Sequence, residues 1–367
     1  MKIALIHPQI IRGSGVENYL IDFARRMHAA GHQLTYVTSL TTPEIGASLP
    51  GNWELQPRLR GSAVLRMWHF NRIAPRAARS AGVDISIGFG RTCAQDIHRN
   101  GTGCHRIYGN LLPLWQRYSL RHLYELHLER KLYTGNETRR YVTSSARVAA
   151  QLQGVYGTDG ERFHMLSPPV ETQLFKPAEN RAVVRELNCR KLQTDASKPV
   201  LLFVSLSHRR RGLEPLIEAM SQIDATLWIV GKKPGPAIQE KIQRLGIASR
   251  VRSVPVTSNL VELYQSADWY VHPTQYDAFS NTVLQSMACG LPGIISVMDG
   301  AVDHVRNEEN GLMLYHPQQP RELAARIKEA LAFDGTQWQS LSTAACETVR
   351  SLTWERHLQE WAEVLQA

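Results

Sequence analysis

The stretch that decides the fold is residues 270–292, YVHPTQYDAFSNTVLQSMACGLP. The apolar run 269–271 reads as a buried strand that stops at His272 and Pro273. A loop then carries Tyr276, Asp277, Ala278 and Phe279 toward a new helix. Ser280 or Asn281 suits its N-cap, and Val283, Leu284, Met287 and Ala288 form its apolar face. Gly290 and Pro292 end it. This strand-loop-helix unit brings one carboxylate and the first amides of a helix to one corner. Such a corner suits an anionic, hydroxyl-rich ligand: the amides and the helix dipole attract phosphate, and a carboxylate accepts hydrogen bonds from sugar hydroxyls. A well-capped packing corner of an α/β sheet is the other reading of the same residues.

Outward from this corner the alternation of strand and helix repeats. Upstream lie PVLLFVS (199–205), ATLWIVG (225–231) and RVRSVPV (250–256); downstream lie GIISV and GLMLY. The loop after the first of these is LSHRRRG (206–212), followed by the helical LEPLIEAM. Three adjacent arginines at a strand-to-helix turn make an anion site unless they are only solvated, because two guanidinium groups can clamp a diphosphate with paired hydrogen bonds.

The first half begins KIALIH, a strand, and passes through PQIIRGSGVE to a helix faced by Val16, Leu20, Phe23, Ala24 and Met27; the strand LTYVTS (34–39) follows. A βαβ unit with glycines at its first crossover lets a backbone approach phosphate. A tight turn that needs φ > 0 would also select glycine. The string Gly13-Ser14-Gly15 lacks the third glycine of a dinucleotide fingerprint, and no acid takes a ribose position after the second strand, which disfavours a nicotinamide cofactor. Residues 83–105 hold short strand-like pieces and a glycine-rich loop with Asp96, His98 and His105. A carboxylate and imidazoles can hold or take a hydroxyl proton near neutral pH, and Asp96 with His105 is the preferred pair. Residues 106–140 interleave Leu, Trp and Tyr with Arg, His and Lys; they read as a basic amphipathic helix that lies on an anionic lipid surface, or as a helix packed on its own domain.

PPVETQLFKP (168–177) has the proline spacing of a hinge. The expected division is 1–168, 169–350 and 351–367, the last a helix with Trp354, Leu358, Trp361 and Leu365 on one face. The fold class is α/β, two Rossmann-like doubly wound domains facing across a cleft.

Residues 270–292 resemble the signature of the family 4 glycosyltransferases of GT-B architecture, in which two glutamates eight positions apart precede Ala-Cys-Gly-Leu-Pro. Here those positions are Asp277 and Gln285, so both depart from Glu. The resemblance implies that Asp277 holds hydroxyls of the donor sugar and Gln285 the ribose of its nucleotide. It also implies that Arg210 and Arg211 grip the diphosphate, and that Ser14, Gly15, Ser205, Val256, Phe279, Ser280, Asn281 and Thr282 complete the donor site. On the same resemblance, a histidine or aspartate from the Asp96 and His105 region lies beside the transferred sugar, and the loop at Pro255, Val256 and Thr257 stacks near the nucleobase. The resemblance further implies that the domain 1–168 binds the acceptor, that 169–350 binds the nucleotide sugar, and that the helix in 351–367 crosses back to the first domain.

Composition narrows the classes. With 43% hydrophobic and 20% charged residues in 367, the chain is an ordinary globular one with room for two cores. No run reaches transmembrane length, and the short apolar start reads as a strand rather than a signal segment. Five cysteines in no paired or metal-type spacing imply a reducing compartment. The net charge of +9 calls for an anionic partner. No Asp-x-Asp pair and no P-loop occur, so neither a metal-clamped diphosphate nor a P-loop NTPase is expected.

The resulting expectation is a metal-independent, retaining hexosyltransferase without a cofactor. It moves a sugar from a UDP-hexose to a hydroxyl of a lipid-linked or polysaccharide acceptor such as lipopolysaccharide core, with Asp96, His105, Arg210, Arg211 and Asp277 at the reacting centre. It acts in the cytoplasm at the inner membrane face, touches anionic membrane through 106–140, and binds no nucleic acid. Two alternatives stay open: a sugar-nucleotide epimerase of the same fold, and a noncatalytic scaffold that binds sugar nucleotides.

Overall fold

The structure, a computed structural model, describes residues 1–257 and 259–366. It divides into two compact units: Met1–Ser167 together with the chain from Leu358 on, and Pro168–His357. The range 169–350 expected for the second domain therefore includes Ser258, and the range 351–367 includes Ala367, both outside the described residues.

The first unit is built on seven parallel strands in the order β3-β2-β1-β4-β5-β6-β7. They are β1 (Lys2–Ile6), β2 (Gln33–Thr38), β3 (Asn52–Leu55), β4 (Ile85–Gly88), β5 (Ile97–Asn100), β6 (Arg140–Thr143) and β7 (Phe163–Met165). One face of the sheet carries Ala4, Ile6 and Val37 against Phe70, Ala74 and Ala78 of the helix Ala63–Ser80. The helix Gly15–Ala29 brings Tyr19 and Phe23 to Phe89 and to Trp361 of the helix Trp354–Gln366, with the Phe23 and Trp361 rings 4.9 Å apart. The Trp361 indole donates to the Tyr19 hydroxyl (2.9 Å), so this aromatic cluster leaves no buried donor unmet at its centre.

The second unit carries six parallel strands in the order β10-β9-β8-β11-β12-β13. These are β8 (Val200–Ser205), β9 (Thr226–Gly231), β10 (Val251–Pro255), β11 (Trp269–His272), β12 (Gly293–Ser296) and β13 (Gly311–Leu314). Alternate residues feed two separate cores: Leu201, Phe203, Trp269 and Val271 on one face, Val200, Leu202 and Tyr270 on the other. The period-2 alternation of a strand and apolar residues at both phases require helices on both faces, which is the doubly wound arrangement. In each unit the strand order reverses once, at β1/β4 and at β8/β11. Loops at the carboxyl ends of the strands diverge there and leave room for a ligand.

The segment 106–140 differs from the amphipathic helix expected. It forms three short turns, His105–Tyr108, Gly109–Leu111 and Leu114–Arg117, and then the helix Leu120–Thr134. That helix buries His122 and Glu125 along with Leu128 and Leu132, while Leu120 and Leu123 are exposed, so apolar residues do not gather on one face. No helix among the described residues is long and apolar enough to cross a membrane. The five cysteines are free thiols, four of them buried.

Candidate active site

The loops after β8 and β11 meet at the switch point of the second sheet. After β8 comes one short helical turn, His208–Arg211, and then Gly212 at φ +76°. A Cβ at Gly212 would fall onto the carbonyl of Pro273, so only glycine lets the two loops touch. They are also tied by hydrogen bonds, since the Arg210 carbonyl accepts from the Gln275 amide (2.9 Å) and from Thr274 Oγ1 (3.1 Å). This backbone contact fixes where the two guanidinium groups go. Arg210 Nη1 lies 3.0 Å and Arg211 Nη2 2.8 Å from Asp277 Oδ2, a carboxylate only 8% exposed.

Beneath this ion triad lies a second, fully buried layer. His272 and Asp299, both 0% exposed, pair at 2.8 Å between Nε2 and Oδ2. Asp299 also accepts from the Ser280 amide (3.1 Å), the Ala301 amide (2.7 Å) and the Ser280 hydroxyl. Arg211 Nη1 donates to Ser280 Oγ (2.8 Å) and sits 3.0 Å from His272 Nε2. Burial opposes the Arg211 charge, but Asp277, followed by Tyr270 and Asp299, more than offsets it and raises the pKa. Burial, aided by the Arg211 charge, pushes His272 down and keeps it neutral. Burial alone would raise Asp299; the His272 hydrogen bond and nearby charges hold it below the usual carboxylate range instead. The product is a guanidinium locked in place, with one edge on a buried acid's network and the other on Asp277.

Ser280 is the N-cap residue of the helix Asn281–Ala288, yet its side chain bonds no helix amide. Its own amide donates to Asp299, so of the first amides at this corner that of Ser280 is not free to receive phosphate. Thr282 Oγ1 accepts from the Tyr270 hydroxyl (2.8 Å), and Gln285 Oε1 sits 3.5 Å from the Tyr264 hydroxyl. Phe279 is edge-on to His304, and Ser205 Oγ accepts from the Ser207 amide (3.0 Å). Asn281 is exposed, and Val256, just past β10, is 73% exposed; Ser258 beyond it lies outside the described residues. Sequence reasoning missed His272 and Asp299, although a histidine closing an apolar strand before proline was a usable signal.

In the first unit Ser14 caps the helix Gly15–Ala29 in a capping box: Ser14 N donates to Glu17 Oε2 (2.9 Å) and Glu17 N to Ser14 Oγ (3.3 Å). Gly15 is not at positive φ, and a Cβ there would meet nothing within 4 Å. The chain's own conformation therefore does not demand this glycine, contrary to the tight-turn reading.

Asp96 and His105 are not brought together. Asp96 lies just before β5, at the amino end of the strand, and Oδ2 accepts from the Ser86 amide (2.9 Å) and hydroxyl (2.7 Å). Ligand loops leave the opposite ends of parallel strands, so Asp96 is a cross-strand tie. His98 is buried and driven down to about 3 by burial first and the Arg99 charge second. His105 belongs to a cluster that sequence reasoning also missed. Arg91 Nη2 is 3.2 Å from His105 Nδ1, His105 Nε2 is 2.9 Å from His122 Nδ1 and 3.1 Å from Glu125 Oε2, and Glu125 also pairs with Arg91 and with Arg121 (3.0 Å). A guanidinium can only donate, so the network assigns the His105 proton to Nε2. Both ring nitrogens are engaged, and His105 does not present a free base. The cavity beside it, about 20 Å3, has room for no more than about one water-sized group.

Among the described residues two sets bring ligand-type atoms within 4.8 Å of one another: His105, His122 and Glu125, and His272, Asp277 and Asp299. In both sets guanidinium groups already neutralise a carboxylate a metal would need.

Two family models match the chain: "Glycosyltransferase Family 4" over residues 13–174 and "Glycosyl transferases group 1" over 198–332. A protein of Burkholderia thailandensis described as "Probable transglycosylase" is 29% identical over 336 residues, 90% of this chain and 86% of its own. The "Lipopolysaccharide glucosyltransferase WaaG" of Escherichia coli K12 is 23% identical over 259 residues, 68% of each chain. Among solved structures, WaaG superposes with TM-score 0.82 at 18% identity over 99% of both chains. Anabaena HepE in complex with UDP-glucose does so with TM-score 0.76 at 17% identity over 100% of this chain and 99% of its own. Both halves of the chain thus match glycosyltransferase models on a shared doubly wound fold, and the chain belongs to family 4 of the GT-B glycosyltransferases.

Proposed function

We propose that the chain is a retaining, metal-independent hexosyltransferase that moves a sugar from a UDP-sugar to a hydroxyl of a lipid-linked envelope glycan of the lipopolysaccharide-core kind. It works at the cytoplasmic face of the inner membrane. The observation that carries this reading is the convergence of Arg210 and Arg211 on Asp277 at the β8/β11 switch point. A breaking glycosidic bond leaves negative charge on the diphosphate, and guanidinium groups held by buried partners stabilise that charge without reorganising. Two fixed cations supply what a divalent metal would otherwise supply. Asp277 accepts sugar hydroxyls beside the anomeric carbon, and Gln285 takes the ribose. Because no protein nucleophile is needed, the acceptor hydroxyl attacks from the face the diphosphate leaves and passes its proton to the departing phosphate oxygen. His105, with both nitrogens engaged, lines the acceptor side as a hydrogen-bonding wall rather than as a base.

HepE was solved with UDP-glucose, and WaaG is named for lipopolysaccharide; these favour the donor and acceptor classes. The decisive assay offers radiolabelled UDP-sugars with and without a crude lipopolysaccharide-core acceptor. Acceptor-dependent release of UDP is expected. Turnover without acceptor would mean a hydrolase or epimerase, and binding without turnover a scaffold.

Peripheral membrane contact is proposed through 106–140, by way of its stretch 114–123. Leu114, Trp115 (74% exposed), Tyr118 and Leu120 stand out from the surface with Arg121 beside them. Such residues enter an anionic interface together. Flotation with anionic vesicles should recover more protein than with neutral ones; equal recovery would count against it.

A further inference from the structure

The first unit has a cavity of about 300 Å3 at the carboxyl ends of β1 and β2 that none of the roles above uses. Its floor is apolar, with Met67 and Phe70 of the helix Ala63–Ser80. Three arginines line it: Arg58 from the loop after β3, Arg66 from that helix, and Arg121 from the helix Leu120–Thr134. Among the described residues no acidic side chain lines it. Arg121 reaches Glu125 with Nε (3.0 Å), and Arg66 donates to the Gly61 carbonyl, which closes the loop against the helix start. A guanidinium has five N–H donors, so each keeps several unused. His7, also on the wall, is pushed down by burial and adds no charge.

We propose that this cavity is a subsite for a phosphate group carried on the acceptor sugar. Arg58 and Arg66 line the hollow with no carboxylate among the other lining residues, and Arg121, whose Nε is taken by Glu125, adds a third guanidinium; a dianion meets this positive charge with paired hydrogen bonds. The volume lies at the lower end of the range of small-ligand pockets and suits one phosphorylated sugar residue, whose ring would lie over Met67 and Phe70. The inference rests on the transferase reading for the word acceptor; the phosphate recognition itself does not need catalysis and can be measured separately.

The probe is glucose 6-phosphate, titrated by calorimetry into the full chain, with glucose and inorganic phosphate as its two halves. Glucose 6-phosphate should bind at least tenfold more tightly than glucose, and its affinity should fall as NaCl rises from 50 to 300 mM, since the screening length shrinks over that range from above about 10 Å to below about 8 Å. The double variant Arg58→Gln/Arg66→Gln should lose at least fivefold toward glucose 6-phosphate and leave the UDP affinity and the melting temperature as in the parent. An unchanged affinity in the double variant overturns the proposal, and so does an equal loss toward glucose. Anionic vesicles form a separate arm: binding to them through the same arginines, with none to glucose 6-phosphate, would assign the anion to a lipid headgroup and overturn the sugar-phosphate assignment. In the transfer assay, phosphatase treatment of the acceptor should lower turnover at least fivefold. Equal turnover on both forms refutes the subsite while sustaining the transferase, whereas no turnover on either form refutes the transferase and leaves the calorimetry to decide the subsite.

Discussion

Asp277 and Glu125 hold nearly the same inventory: one carboxylate paired with two arginines, and a histidine nearby, which bonds the carboxylate only at Glu125. They differ in what stands behind them. Arg211 is backed by Ser280, His272 and Asp299, and the last two are fully enclosed in the second unit. Arg121, by contrast, is 69% exposed and sits one turn from Glu125 on the same helix, where an ion pair is worth little. The contrast teaches that charge inventory does not mark a site. A site that must meet a developing charge has its cations held from behind by buried acceptors, and a packing tie does not.

The largest effect that tests this contrast comes from the enclosed acid. Asp299→Ala leaves His272, the Ser280 amide and the Ala301 amide without their acceptor, and should cost about 3–5 kcal/mol of stability in urea unfolding. A cost below about 1 kcal/mol, the worth of an ordinary hydrogen bond, would mean that the layer behind Arg211 is not what locks it. Next is Arg211→Ala, expected to cost roughly 2–4 kcal/mol of transition-state stabilisation, measured as kcat/KM for UDP release. Activity within twofold of the parent would remove it from the mechanism.

Glu125 should behave differently. Burial would raise its pKa, but the His105 hydrogen bond and the Arg91 charge outweigh burial and hold it at about 2. A carboxyl depressed in the folded state contributes stability above its unfolded pKa of about 4.5, and that contribution fades as pH falls from there toward 2. The stability gap between the parent and Glu125→Gln should therefore be widest at pH 6–7 and narrow between pH 4.5 and 3. A gap constant with pH would show that the carboxylate is not paired as described. The smallest effect is at Gln285. If it faces ribose hydroxyls, Gln285→Glu gives a charged acceptor worth about 1 kcal/mol more, or roughly fivefold tighter UDP. Weaker UDP binding would place it away from the ribose.

The fold was largely legible because parallel strands buried on both faces leave continuous apolar runs such as VLLFVS and TLWIVG, which hardly any other structure explains. The arginine turn and Asp277 were legible for a similar reason: each lies on a loop directly after such a strand. The rest was not. The pairing of His272 with Asp299 spans 27 residues and involves a loop without a recognisable spacing. Asp96 misled because its chemistry is right and its end of the strand is wrong, and strand polarity is set by the whole sheet rather than by its neighbours in sequence. The 106–140 segment misled through composition: its arginines and leucines are interleaved, but His122 and Glu125 point inward to one another's cluster.

The contact of Gly212 with Pro273 has a consequence for re-engineering this enzyme. The residues after β8 and those after β11 are one mechanical part assembled from two pieces of chain, so exchanging either piece alone with a homologue of different sugar preference would misalign both. Under the proposed donor-site reading, a graft aimed at a new donor carries residues 205–213 and 272–282 as a single cassette, glycine included.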